Sequence, residues 1–246
     1  MPDFSVGPIG NFSMTQPAAS GNGLLNSLVA FYQFQTTSWL DSSPNALDLN
    51  NSFGGGSVTT AAGLVGNAAA ITGTKVIYHA DDPKFDFTQS FTAAYWVKYT
   101  GTPTGVPMQV GKYRSNGEWR TLVSNTSGAN WQLSFLIYAA DTTSNSVNWP
   151  TQDLTAFWQA SWHFIVVQCD AVGNNIYLNI DNGTAVSTGK TKTITHSTDN
   201  FQVGDFDFDS NAMYDQYGVW TRVLSAADLT FLYNSGAGRA YSELTT

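Results

Sequence analysis

Tyr217-Gly218-Val219-Trp220-Thr221-Arg222-Val223, continuing through Leu224-Ser225-Ala226-Ala227-Asp228-Leu229, sets a compact apolar run directly before a helix start. The first seven residues carry Tyr, Trp and Val at the density of a buried strand, with no proline to interrupt it. Ser225 then offers a side-chain oxygen to a helix N-terminus, and Asp228, three positions on, completes a reciprocal cap. Leu229, Leu232 and Tyr233 fall on one helical face, and Gly236 stands where a left-handed closing residue belongs. The spacing predicts one strand and then one short helix of about two turns.

Outward from this block the helical signal disappears. Only 11% of the 246 residues are charged, against about 25% in an average soluble domain. Thr, Ser, Asn and Gly replace them, and aromatic residues reach 14%. That mixture disfavours helices and suits half-buried strands joined by tight turns. Candidate strands are Leu28–Phe34, Val76–His79, Phe91–Tyr99, Thr121–Ser124, Gln132–Tyr138, Trp162–Cys169, Asn175–Ile180, Phe201–Val203 and Tyr217–Val223. Gly54-Gly55-Gly56, Asn116-Gly117, Ser127-Gly128, Gly173-Asn174 and Asp181-Asn182-Gly183 supply the turns. The expected fold class is therefore all-β, with one short C-terminal helix. Residues 1–22 hold Pro2, Pro8 and Pro17 and read as an extended arm, and residues 23–246 read as one domain.

Several segments resemble one family. Tyr217 to Leu229, continued by Leu232-Tyr233-Asn234-Ser235-Gly236, resembles the final strand and helix of bacterial and phage LamG-like domains. Ser161-Trp162-His163-Phe164-Ile165-Val166-Val167 followed by Asn175–Gly183 is similar to that family's Trp-His strand and its strand ending in Asp-Gly. Ser90 to Lys98, and Leu28 to Phe34 with Asp41-Ser42-Ser43 after it, match two further strands. The resemblance implies a two-sheet antiparallel jelly roll of the concanavalin A-like class, used mainly for binding and adhesion and in some members for glucan hydrolysis. One departure is Ile71-Thr72-Gly73, where the family often carries Phe-Asp-Gly and an acid sometimes linked to calcium.

Charge and motif content exclude other classes. Net charge is −8, and the ten Lys and Arg residues never cluster, so no nucleic-acid footprint exists. No apolar run approaches the ~18 residues of a membrane span. Cys169, the sole cysteine, lies in the apolar run Phe164 to Cys169 and reads as a buried thiol. A jelly-roll glucanase needs a close carboxylate pair, yet Glu118 and Glu243 are the only glutamates and no Glu-x-Asp-x-Glu strand exists. His163 reads as a strand-borne structural residue, whereas His79 and His196 stand alone in polar loops. The protein is expected not to be an enzyme.

Three sets of residues are candidates for interaction. Asp205, Asp207 and Asp209, if extended, share one face at about 6.5–7 Å and form a candidate Ca²⁺ site. The alternative is a solvated rim whose Phe206 and Phe208 anchor to the core. An EF-hand is excluded, because Ser210 takes the glycine position and Gln216 the bidentate glutamate position. Trp149, Trp39, Tyr113 and Trp131 border polar turns and are candidate carbohydrate platforms, while Trp96, Trp162 and Trp220 belong in packed strands. Pro2, Phe4, Ile9 and Phe12 give the arm its docking residues for another structural subunit. No cation precedes Lys75, so residues 1–23 offer no signal peptide, and export by lysis or on a particle is expected. The leading expectation is a recognition or decoration subunit of a virion, with a glycan ligand and possible homo-oligomerisation. A stand-alone lectin is the alternative, and a glycoside hydrolase with a non-standard acid pair the third.

Overall fold

The computed structural model describes residues 22–51, 57–113 and 117–245. The arm residues Pro2, Phe4, Ile9 and Phe12, the Gly54-Gly55-Gly56 turn and Asn116 lie outside the described residues.

A four-residue helical turn, α1 (Asn22–Leu25), opens the described chain. Strands β1 (Leu28–Tyr32), β2 (Asn50–Asn51), β3 (Thr59–Ala62), β4 (Asn67–Ile71), β5 (Val76–His79), β6 (Phe91–Tyr99), β7 (Met108–Lys112) and β8 (Trp119–Ser127) follow. The second half adds β9 (Asn130–Tyr138), β10 (Ser144–Asn148), β11 (Gln152–Asp153), β12 (His163–Asp170), β13 (Asn175–Ile180), β14 (Val186–Gly189), β15 (Phe201–Gly204) and β16 (Ala212–Trp220). Helix α2 (Ala226–Tyr233) ends the series. The all-β prediction holds, in two antiparallel sheets. The first runs β14-β13-β12-β6-β16-β4-β3 with β1 also paired to β16, and the second runs β10-β9-β8-β7-β15-β5-β2 with β11 on β9. The chain changes sheet eight times, between β1 and β2, β2 and β3, β4 and β5, β5 and β6, β6 and β7, β11 and β12, β14 and β15, and β15 and β16, which is the jelly-roll weave.

Alternation along each strand fills the space between the sheets. On β6, Phe91, Ala93, Tyr95, Val97 and Tyr99 enter the main core, while Ala94 and Trp96 point to the opposite face. That opposite face is covered by α2, which lays Tyr233 against Trp96 with ring centroids 5.7 Å apart. The Trp220 indole donates to the Leu24 carbonyl at 2.7 Å, tying α1 to the same layer. The central strands of the first sheet are therefore buried on both faces, while on the second sheet outward residues such as Arg120 of β8 and Gln132 of β9 are partly exposed.

Helix α2 begins as the sequence predicts: Ser225 Oγ accepts the Asp228 N–H and the Asp228 carboxylate accepts the Ser225 N–H. Its end differs. Asn234 takes the first left-handed position at φ 48° and Ser235 the next at 55°, before Gly236 at 92°. Asn tolerates this region because its short side chain bonds locally, here to the Gly238 carbonyl at 2.8 Å. α1 is a second helical element that the pattern did not announce. No helix among the described residues is long and apolar enough to cross a membrane. Cys169 is buried in the main core, which pushes its thiol up to about 11.

Candidate functional site

The solvent face of the second sheet is read from its register. Gln202 of β15 pairs with Gly111 of β7, Gly111 with Arg120 of β8, and Arg120 with Leu136 of β9. Directly paired residues share a face, so this row crosses four strands on the outer side. Phe201 and Val203, Trp119, and Phe135 and Ile137 alternate with it and point into the core. Gly111 leaves no side chain between Gln202 and Arg120, which stand two strand spacings, about 10 Å, apart.

The Arg120 side chain is fixed from two sides. Its Nε donates to the Tyr138 hydroxyl at 2.9 Å, and its guanidinium carbon lies 3.8 Å from the centre of the Tyr113 ring. Tyr113 and Tyr138 pack at 4.7 Å between centroids, and burial raises the Tyr138 hydroxyl above the ordinary tyrosine value. Both terminal guanidinium nitrogens are without a protein partner among the described residues, so the hydrogen-bonding fork is open. Gln202 is only 3% exposed; its Nε2 reaches the Gly204 carbonyl, and its Oε1 accepts nothing.

The loop after β15 forms the lip of this recess. The Asp205 Oδ1 accepts the N–H groups of Asp207 and Phe208 at 2.7 and 3.2 Å, while its Oδ2 accepts the Met108 N–H at 2.7 Å. Three donors on one carboxylate bend the chain immediately after Gly204. Phe208 is turned outward, 39% exposed, with its ring lying on Gly105. A Cβ at Gly105 would occupy the position of that ring, and its φ of +61° also favours glycine. The ring's support is anchored in turn: Thr104 N–H donates to the Asp209 carbonyl at 3.1 Å and Asp209 N–H to Thr104 Oγ1 at 2.9 Å. The resulting recess, a shallow hollow of about 60 Å³, brings together Tyr113, Arg120, Gln202, Asp205, Asp207 and Phe208.

Several sequence-derived sites fall elsewhere. Of the four aromatic candidates, Tyr113 alone lines the recess. Trp39 is 1% exposed and donates its indole N–H to Asn51, and Trp131 is 4% exposed, so neither presents a face to a sugar. Polar turn neighbours misled here, since the loops beside these rings fold over them. Trp149 is half-buried and packs on the main core. The extended aspartate stripe is also corrected. The bend at Asp205 ends the alternation, and three backbone donors already occupy the carboxylate that a shared Ca²⁺ site would need. Phe208 is not a core anchor. Arg120 and Gln202 escaped notice, although each is a lone polar residue at an outward position of an apolar alternating strand.

A second cluster gathers around Lys112, whose ammonium contacts Asp81 at 2.8 Å, Glu118 at 2.9 Å and Asp86. His196 Nδ1 lies 2.9 Å from the same Asp86. Asp81, Asp86 and His196 are close enough to share an ion, but the lysine ammonium already supplies a cation there. Glu118 is fully buried and also accepts N–H groups of Ser197 and Phe87. Burial raises its carboxyl above the usual range, against the pull of the Ser197 N–H and Lys112. His163 is likewise structural: buried, stacked on Phe157 at 3.9 Å, and bonded to Asp181 at 2.7 Å and the Phe157 carbonyl at 3.0 Å.

Comparison with solved structures gives botulinum neurotoxin binding domains. The receptor binding domain of the serotype C/D mosaic matches with TM-score 0.66 and 12% identity, over 85% of this chain and 51% of that one. The serotype D/C binding domain matches at 0.68 and 13%, over 88% and 53%. The DC binding domain solved with SialylT matches at 0.66 and 13%, over 86% and 52%. The chain spans about half the length of these structures, and at such identities the likeness is one of fold. No curated protein matches by sequence. The Laminin_G_3 family model, described as the concanavalin A-like lectin/glucanases superfamily, matches residues 72–230, more than half of the chain. Two antiparallel sheets woven as a jelly roll and a sequence match from β5 into α2 agree, and the chain belongs to the concanavalin A-like lectin/glucanase superfamily.

Proposed function

We propose that this protein is a non-catalytic glycan-recognition module that binds its ligand in the recess on the second sheet. The observation that carries this reading is the pairing of Arg120, held by Tyr113 and Tyr138 and without an ion pair among the described residues, with the exposed Phe208 ring in one recess. Arg120 offers donors, and the outward Phe208 ring offers an apolar face. A sugar has this complement of hydroxyls and a C–H face. Asp205 accepts three backbone N–H groups, one of them that of Asp207, the other acid of the recess, so its carboxylate is committed to holding the loop. The DC binding domain was solved with SialylT, and the same domain also with rat synaptotagmin II, which makes recognition a use to which a related fold is put.

Binding to an immobilised glycan panel tests the reading. The full chain is expected to retain at least one sugar class, and Phe208→Ala to lose it with an unchanged melting temperature; retention by Phe208→Ala would remove the recess as the site. In this reading residues 1–22 carry the module on a larger particle, of which a virion is the first choice. That part rests on the proline-bearing sequence of those residues alone. Light scattering of the chain lacking them, beside its particle partner, is expected to show lost assembly, and unchanged assembly would end it.

A further inference from the structure

We infer that the sugar bound in the recess carries a carboxylate, so that the ligand class is an acidic sugar. This rests on the recess being the glycan site. The inference starts from how Arg120 is held. Its Nε is spent on Tyr138 and its guanidinium carbon lies over the Tyr113 ring, which leaves the two terminal nitrogens without a partner among the described residues. A fork of parallel N–H donors matches the two oxygens of a carboxylate, and a neutral hydroxyl fills only half of it. An arginine held in a recess normally finds a carboxylate in its own chain. Here Asp205 and Asp207 line the same recess, yet neither forms an ion pair with Arg120. Asp205 is engaged by three N–H groups. The guanidinium therefore makes no direct ion pair among the described residues, in a protein of net charge −8.

The remaining groups define the rest of the ligand. Phe208 receives a saturated ring face. Asp207, exposed on the lip, sets a limit on charge: it repels a second negative group, so a monoanionic carboxylate is favoured over a sulfate-rich or phosphorylated sugar. Asp207 also gives the inference its sharpest test, because removing its charge strengthens binding of an acidic sugar more than that of its neutral partner.

The experiment uses the full chain and two matched pairs. Oligogalacturonate is compared with its methyl ester, and sialyllactose with lactose, each titrated calorimetrically at one ionic strength. The first pair places the carboxylate within a chain and the second at a terminus, so the pair that responds identifies the source. The acidic member of one pair is expected to bind at least about tenfold more tightly than its neutral partner. Arg120→Met is expected to abolish that difference, and Asp207→Asn to tighten the acidic member roughly two- to fivefold. Melting temperatures of the variants check that each is folded. Equal affinity within both pairs, lost on Phe208→Ala, would overturn the acidic-sugar inference while leaving the glycan site standing. Failure of every sugar to bind would overturn the inference together with the reading beneath it.

Discussion

Replacement of Lys112 by Met provides a quantitative test of how the second sheet is held together. Lys112 ends β7 and Glu118 lies just before β8; both side chains are fully buried and their charges meet at 2.9 Å. Asp81 and Asp86 approach from the segment after β5, with side chains 31% and 19% exposed. Burial pulls the lysine down, but hydrogen bonds from three carboxylates outweigh it and hold the ammonium above the ordinary lysine value. Water still reaches the two aspartates, so their share of the loss is small, of order 0–1 kcal/mol each. Glu118 decides the size of the effect. Without Lys112 it is a buried charge supported by two N–H groups, and breaking such a pair costs about 3–5 kcal/mol. With a urea slope near 3 kcal/mol/M, the midpoint is expected to fall by roughly 1 M. Urea titration followed by tryptophan fluorescence measures it.

The same variant carries a pH signature. Loss of the ammonium raises the Glu118 carboxyl further above its unfolded value, so the native state binds protons that the unfolded state has released. Stability of Lys112→Met then falls as pH rises through the folded value, and it recovers relative to the parent between pH 7 and pH 5. Adding Glu118→Gln removes the buried charge and is expected to restore part of the loss. A midpoint shift equivalent to less than about 1 kcal/mol, with an unchanged slope and no recovery at pH 5, would refute the argument: the network would then be an ordinary surface ion pair.

Three further outcomes are expected. Asp215 is fully buried, and burial pushes its carboxyl up to about 7 against the pull of N–H donors from Val65, Gln216 and Leu64. Because that value lies above the unfolded one, native stability declines as pH rises from 5 to 7, by at most about 1.4 kcal/mol per unit; Asp215→Asn should flatten the slope in thermal melts, and equal slopes would contradict it. Cys169, raised to about 11 by burial, should resist thiol reagents at pH 7.5 until the chain is unfolded, which a colorimetric thiol assay reads directly. Calcium added to chelator-treated protein should leave the melting temperature unchanged, because the Asp205 carboxylate is held by three N–H groups.

How much of this was legible in sequence depends on whether burial followed from a residue's own chemistry. β5, β6 and β13 match their predicted limits, since apolar runs such as Phe91 to Tyr99 bury themselves in any sandwich. β7 was missed although all five of its residues are buried. Met-Gln-Val-Gly-Lys does not read as a core strand, and its polar members are buried only because distant partners meet them. Gln109 sits between the hydroxyls of Tyr95 and Tyr99, at 2.5 and 2.8 Å, and Lys112 among three carboxylates. The first half of β16 was missed for a similar reason. Asp215 and Gln216 break its apolar pattern with a bulge, and Asp215 is there to bind the N–H groups of Leu64 and Val65 at 2.9 Å each.

The site was less legible than the fold because it is a property of register. Arg120 and Gln202 are 82 positions apart in sequence and become neighbours across Gly111 only once β15, β7 and β8 are paired in their observed alignment. Aromatic exposure inverted for a related reason. Trp39 and Trp131 have polar sequence neighbours, but an indole buries more apolar area than any other side chain, and loops fold over it. Phe208 lies in an alternating stripe that suggested burial, yet Asp205 spends its carboxylate on the Asp207 and Phe208 N–H groups and turns the ring outward. The backbone of Gly105 then receives one face of the ring and leaves part of it exposed. What exposes Phe208 is therefore an acid three residues upstream and a glycine 103 residues upstream, so Asp205→Ala and Gly105→Ala should each disturb sugar binding by displacing the Phe208 ring.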